Sequence, residues 1–167
     1  PETIAAVDVR KGPYFADEGD FASVGSVHVG LIDRTKGLAQ LSVGSFGYRR
    51  LLGMDSAKLG DGALLVAGEI GSYNGPWDNP DNVRKLNGLV RFSQGTATDG
   101  LTVTGMAYAN KWNSTDQVPQ RAITSSFLDR FGSEDPTDGG NTNRFALSGR
   151  LAQSDDLGSW KANAYVV

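Results

Sequence analysis

The chain contains no cysteine, which excludes disulfide staples, thiol nucleophiles and thiolate-held zinc or iron–sulfur centres while leaving an oxidising compartment open. Histidine occurs once, at His28, so a Ser-His-Asp arrangement would have to use it with Ser23 or Ser26 nearby. No G-x-S-x-G elbow is present, and no catalytic constellation stands out. Basic blocks are also missing. The 16 Lys and Arg are dispersed, the net charge is −3 and the pI is near 5.1, which leaves no electrostatic reason to expect nucleic acid. No hydrophobic run approaches the roughly 18 residues of a spanning helix, and no basic-then-apolar segment opens the chain, so a helical inner-membrane protein is excluded. A membrane β-barrel is not, because its strands alternate lipid-facing and lumen-facing residues; a mean hydropathy of −0.31 suits a barrel or a soluble β protein.

What the sequence has in quantity is glycine. Each of the 22 would cost a helix interior about 1 kcal/mol relative to alanine, and helical periodicity is hard to find. At 167 residues the chain is long enough for a core of its own, yet Pro1-Glu2-Thr3 has neither an initiator Met nor an export signal, and the expectation is an excerpt from something longer.

From residue 37 onward, apolar residues recur at every second position between turn clusters, which predicts strands with two different faces. Leu41–Val43 opens the first, and a tight turn around Ser45-Phe46-Gly47-Tyr48 leads to a return strand with Arg50, Leu52, Met54 and Ser56 on one face. Gly60-Asp61-Gly62 turns the chain into a third strand, Ala63 to Tyr73, with Leu64, Val66, Gly68 and Ile70 opposed to Ala67, Glu69 and Gly71. After a loop at 74–82, Leu86, Gly88, Val90 and Phe92 alternate with Lys85, Asn87, Arg91 and Ser93. A turn at 96–100 precedes Leu101, Val103, Gly105, Ala107 and Ala109, whose strand has less distinct faces. Residues 112–142 read as a long polar connection, followed by strands around Phe145–Leu151 and Trp160–Val166 joined at 155–158. Short turns at 60–62, 96–100 and 155–158 against long connections at 74–82 and 112–142 describe an up-and-down outer-membrane barrel, with the turn at Phe46 an exception. Phe92, Trp160 and Tyr73, at strand ends, would suit its interfacial girdles. Pattern alone fits this barrel and a soluble β-sandwich equally.

The opening segment separates them. Val7-Asp8-Val9-Arg10-Lys11-Gly12-Pro13, a loop, and Gly25-Ser26-Val27-His28-Val29 resemble the end of the plug domain in TonB-dependent outer-membrane receptors, where V-E-V-x-[KR]-G-P and G-x-[IV]-N-[IV] strands are common. Asp8 stands for the usual Glu, His28 for a frequent Asn, and Asp17-Glu18-Gly19-Asp20 lengthens the loop. Gly44-Ser45-Phe46-Gly47-Tyr48-Arg49-Arg50 resembles the first barrel hairpin of that family, G-S-[FY]-G-x-x-R. The resemblance implies an all-β chain: residues 1–36 as the C-terminal part of a plug, and 37–167 as the first seven strands of an antiparallel transmembrane β-barrel. Barrels of the family close with about 22 strands. It further implies a non-enzymatic receptor in the outer membrane of a Gram-negative bacterium, surrounded by outer-membrane lipid and importing a scarce nutrient such as an iron–siderophore complex without a cofactor of its own. The energy-transducing TonB complex would act through an N-terminal motif outside this chain.

The plug motif is Arg10, Lys11, Gly12 and Pro13, and His28 is expected to be a plug-strand histidine against the barrel wall. Trp77 and Trp112, at the outer ends of strands, are candidates to touch ligand, with girdle or loop-core packing as the plainer role. Lys85, Arg91, Arg144 and Arg150 are expected to face the lumen and to find plug carboxylates such as Glu18 and Asp20. The cluster Asp135-Pro136-Thr137-Asp138-Gly139-Gly140-Asn141 lacks EF-hand spacing and reads as a solvated turn, with calcium as the alternative.

Overall fold

Alternation becomes hydrogen-bonded strand in the computed structural model, which describes residues 1–16, 18, 22–114 and 117–167. Asp17, Gly19 and Asp20 of the lengthened loop, and the pairing expected of Asp20, lie outside the described residues. In chain order the elements are β1 (Ile4–Lys11), β2 (Gly25–Leu31), β3 (Leu38–Val43), β4 (Arg49–Leu59), β5 (Gly62–Tyr73), β6 (Val83–Gly95), β7 (Gly100–Asn113), α1 (Gln120–Thr124), β8 (Gly139–Asp155) and β9 (Gly158–Val166). They fall into two units, Pro1–Asp33 and Arg34–Val167.

In the first unit β1 and β2 form an antiparallel pair. Val7 lies opposite Val29 and Val9 opposite Val27, so four valines share one face, and each is more than half exposed. The other face sets Asp8 against His28 and Arg10 against Ser26.

The second unit is a seven-stranded sheet in the order β3 to β9, every strand antiparallel to its neighbours and every neighbour adjacent in sequence. β3 and β9 are its edges, and the sheet does not close on itself. Local chemistry explains the tight connections. Gly60, at φ +58°, opens the two-residue link between β4 and β5, where the first central position of a II′ turn takes glycine. Between β8 and β9, the Asp155 carboxylate accepts the N–H groups of Leu157 and Gly158 at 2.9 and 3.1 Å.

Register sorts the side chains into two faces. Leu51, Ile70, Leu86 and Ala109 form one cross-strand row, and Asp55, Val66, Val90, Gly105, Leu147 and Val166 another on the same face. The opposite face carries rows such as Leu52, Glu69, Asn87, Tyr108 and Arg144. In a water-soluble sheet the apolar face is the covered one. Here Leu65 is 0% and Glu69 7% exposed on the polar face, while Val66 and Ile70 on the apolar face are 47% and 52% exposed. The faces of β7 resolve in the same sense: Leu101, Val103 and Gly105 join the apolar rows.

Several boundaries differ from the sequence reading. β3 begins at Leu38, and the connection read as 112–142 narrows to 114–138, because Trp112 pairs with Gly140 and Asn113 with Gly139. Polar residues there looked like loop, but strand ends beyond the apolar band need no apolar side chains. Tyr73 shares the polar face with Glu69 and Gly71 and meets Tyr48 edge-on at 6.4 Å, so it is not an aromatic of the apolar face. Phe92 and Trp160 do lie on that face.

Candidate functional site

Glu69 is the electrostatic centre of the polar face. β4 and β6 flank β5, and their register puts Arg50 and Lys85 on either side of Gly71, one pair along from Glu69. Arg50 donates from Nε to Glu69 Oε2 at 2.7 Å, and a second guanidinium nitrogen lies against the same oxygen. Lys85 Nζ stands 2.6 Å from Oε1, which also accepts from Asn87 Nδ2 at 3.2 Å. Two cations and an amide therefore converge on one buried carboxylate, the condition under which a buried charge is tolerated.

Lys85 thus takes a carboxylate from the adjoining strand. Arg91 reaches the buried Thr104 hydroxyl at 2.9 Å, and Arg150 donates to the Ala97 carbonyl. All these groups face the same side of the sheet as Arg144.

The long connections are tied to each other. Trp77 donates from its indole N–H to Asp81 Oδ2 at 3.2 Å and packs against Phe131 with ring centroids 6.2 Å apart. Asp78 N–H donates to the Phe131 carbonyl, Asn113 N–H to the Asp81 carbonyl, and Asn79 Nδ2 to the Pro136 carbonyl. Gly75, buried at φ +69°, makes room for this knot, since a Cβ would come within 2.5 Å of the Trp77 ring. Trp112 lies on the polar face over Gly140, where a Cβ would come within 2.3 Å of the indole. Both candidate ligand-contacting tryptophans thus have intramolecular packing roles. Asp135 turns its carboxylate onto the Thr137 hydroxyl and N–H at 2.6 and 2.8 Å, which holds its pKa below the usual aspartate range. Among the described residues no group of three acidic, histidine or cysteine side chains is placed to hold a metal ion.

In the first unit, Arg10 Nη1 pairs with Glu18 Oε1 at 3.0 Å, and its guanidinium lies 5.0 Å from the centre of the Phe15 ring. Gly12 takes φ +82° and donates its N–H to the Val24 carbonyl, so the motif residues Arg10 to Pro13 form the corner that closes the loop. His28 Nε2 contacts Glu18 Oε1 at 2.7 Å and Ser26 Oγ at 3.4 Å. Serine, histidine and carboxylate are together, but through one ring nitrogen. A proton relay needs the acid on one nitrogen and the nucleophile on the other, so this is a hydrogen-bonded anchor for Glu18.

Glu69, Arg50 and Asn87 escaped the sequence reading as a cluster. The usable signal was parity, since Arg50, Glu69 and Lys85 all fall on the charged side of alternating strands. The fold and these contacts define a class of protein: an antiparallel all-β chain whose apolar face is bare and whose polar face is ion-paired. No family model matches the chain, and neither a curated protein nor a solved structure matches it.

Proposed function

We propose that the chain is part of a TonB-dependent outer-membrane receptor, with β1 and β2 belonging to the plug and β3 to β9 to the barrel wall. The observation that carries this reading is the inverted burial of the sheet. An exposed band of Leu51, Ile70, Leu86, Val66, Val90 and Leu147 suits lipid, and a face that carries Arg, Lys, Glu, Asn and Thr beside the buried Leu52, Leu65 and Ala67 suits a hydrated, plugged lumen. Two open edges in hydrocarbon would leave a row of unsatisfied backbone groups on each side, so this reading requires further strands to complete the wall. The bare valine face of β1 and β2 likewise requires cover, since an isolated two-stranded hairpin is marginal in water.

On this reading nutrient, most often an iron–siderophore complex in the family, shifts the plug by binding its two conformations unequally. The energy-transducing complex then pulls the plug to open a path, and no covalent step is involved. An antibody raised against residues 117–138, applied to fractionated host membranes, tests it. A polypeptide several times larger than 17.7 kDa in the outer-membrane fraction is the expected result. A stable product of about that mass in the soluble fraction would overturn the reading in favour of a β-sandwich binding module.

A further inference from the structure

A depression of about 980 Å³ opens on the apolar face at the end of the sheet where the long connections lie. Its floor is apolar, with Leu41, Leu51, Ile70, Leu86 and Ala109 from successive strands. Its rim is the next row along, in which the register aligns Arg49, Ser72, Arg84, Lys111 and Asn141 side by side. Three cations therefore stand within about 14 Å along the row, at the usual strand spacing. Arg84 and Lys111 are direct cross-strand partners, an arrangement that like charges destabilise. All three are exposed, no carboxylate lines the depression, and among the described residues no carboxylate pairs with any of them. This contrasts with the polar face, where Arg50 and Lys85 share Glu69.

An uncompensated cationic row bordering an apolar trough complements an amphiphile with an anionic head and a hydrocarbon tail. We propose that this site binds a phosphate-bearing membrane lipid, with phosphate on Arg49, Arg84 and Lys111 and acyl chain over Leu51, Ile70 and Leu86. Arginine suits the role because its guanidinium presents paired donors to phosphate oxygens, and the neighbouring lysine adds a point charge. Ser72 and Asn141 supply neutral donors in the same row. The inference rests on the outer-membrane reading, which turns this face to lipid and places the row at the outer leaflet.

The test uses the full-length protein extracted from host outer membranes in mild detergent, with native mass spectrometry against diphosphorylated lipid A, dephosphorylated lipid A and inorganic phosphate. Binding of the diphosphorylated lipid is expected to be at least tenfold tighter than of the dephosphorylated one. It should fall at least tenfold in the triple variant Arg49→Gln, Arg84→Gln, Lys111→Gln, and persist in Arg49→Lys, Arg84→Lys, which keeps the charge. Unchanged heat-modifiable migration on gels would show that both variants fold. Equal lipid binding by a folded triple variant would overturn the lipid site while leaving the receptor reading intact. So would inorganic phosphate that binds as tightly as the lipid. Wild-type protein absent from the outer membrane would overturn the receptor reading and this site with it.

Discussion

Glu69 shows how much one side chain can govern on a face of mixed charge. Replacing it with glutamine leaves Arg50, which is 14% exposed, beside a neutral amide, whereas Lys85 keeps more access to water. The expected cost for Glu69→Gln is about 3 kcal/mol, the lower end for breaking a buried pair, read as a shift in the urea midpoint of the full-length protein folded in vesicles. Glu18 gives a pH-dependent counterpart in the hairpin of β1 and β2. Its pKa is lowered, first by the hydrogen bond from His28 and further by Ser26 and the charges of His28 and Arg10. A carboxylate whose folded pKa lies below its unfolded value, about 4.3, contributes stability above that pH and loses it as pH falls through the folded value. Amide exchange in β1 and β2 should therefore accelerate below the ordinary glutamate range, and Glu18→Gln should remove that dependence. Neither role could be read from composition. Glu69 meets Asn87 across a connection spanning residues 74–82, and no local pattern sets the register over such a length.

Among the elements, the sheet strands were largely legible, since two-residue periodicity and turn chemistry are local properties. Gly60-Asp61 and Asp155–Gly158 announced their hairpins, and alternation from Leu86 to Ser93 assigned both faces of β6 correctly. The ends of β7 and β8 were not legible, because Trp112–Asn113 and Gly139–Thr142 carry loop-like composition while remaining paired. Gly140 is the informative residue there. In Gly140→Leu the new side chain and the Trp112 indole cannot occupy the same volume. Overpacking of this kind should cost about 2 kcal/mol, read as a shift in the urea midpoint of the full-length protein folded in vesicles. An unchanged midpoint would show that the indole does not lie over Gly140.

For the whole molecule, the decisive property is which face meets which solvent. Val90 sits mid-strand on the apolar face and is 49% exposed. In a lipid-facing wall Val90→Arg should cost about 2–4 kcal/mol and lower the yield of protease-resistant protein in the outer membrane. If the face instead meets water, the same substitution should leave folding intact and raise solubility. The resemblance in residues 7–50 pointed toward lipid, whereas alternation by itself was neutral, because it records that two faces differ and not which of them is wet. The strictly consecutive strand order also bears on how such a wall is assembled. No pairing waits for a distant partner, so contact order is low and hairpins can be laid down one after another. The exception is the join of β7 to β8 across residues 114–138, where loop closure costs about 1 kcal/mol more than across 74–82. The ribbon β3–β7 and the hairpin β8–β9 would then form separately, and their docking would be the slow step in building the sheet.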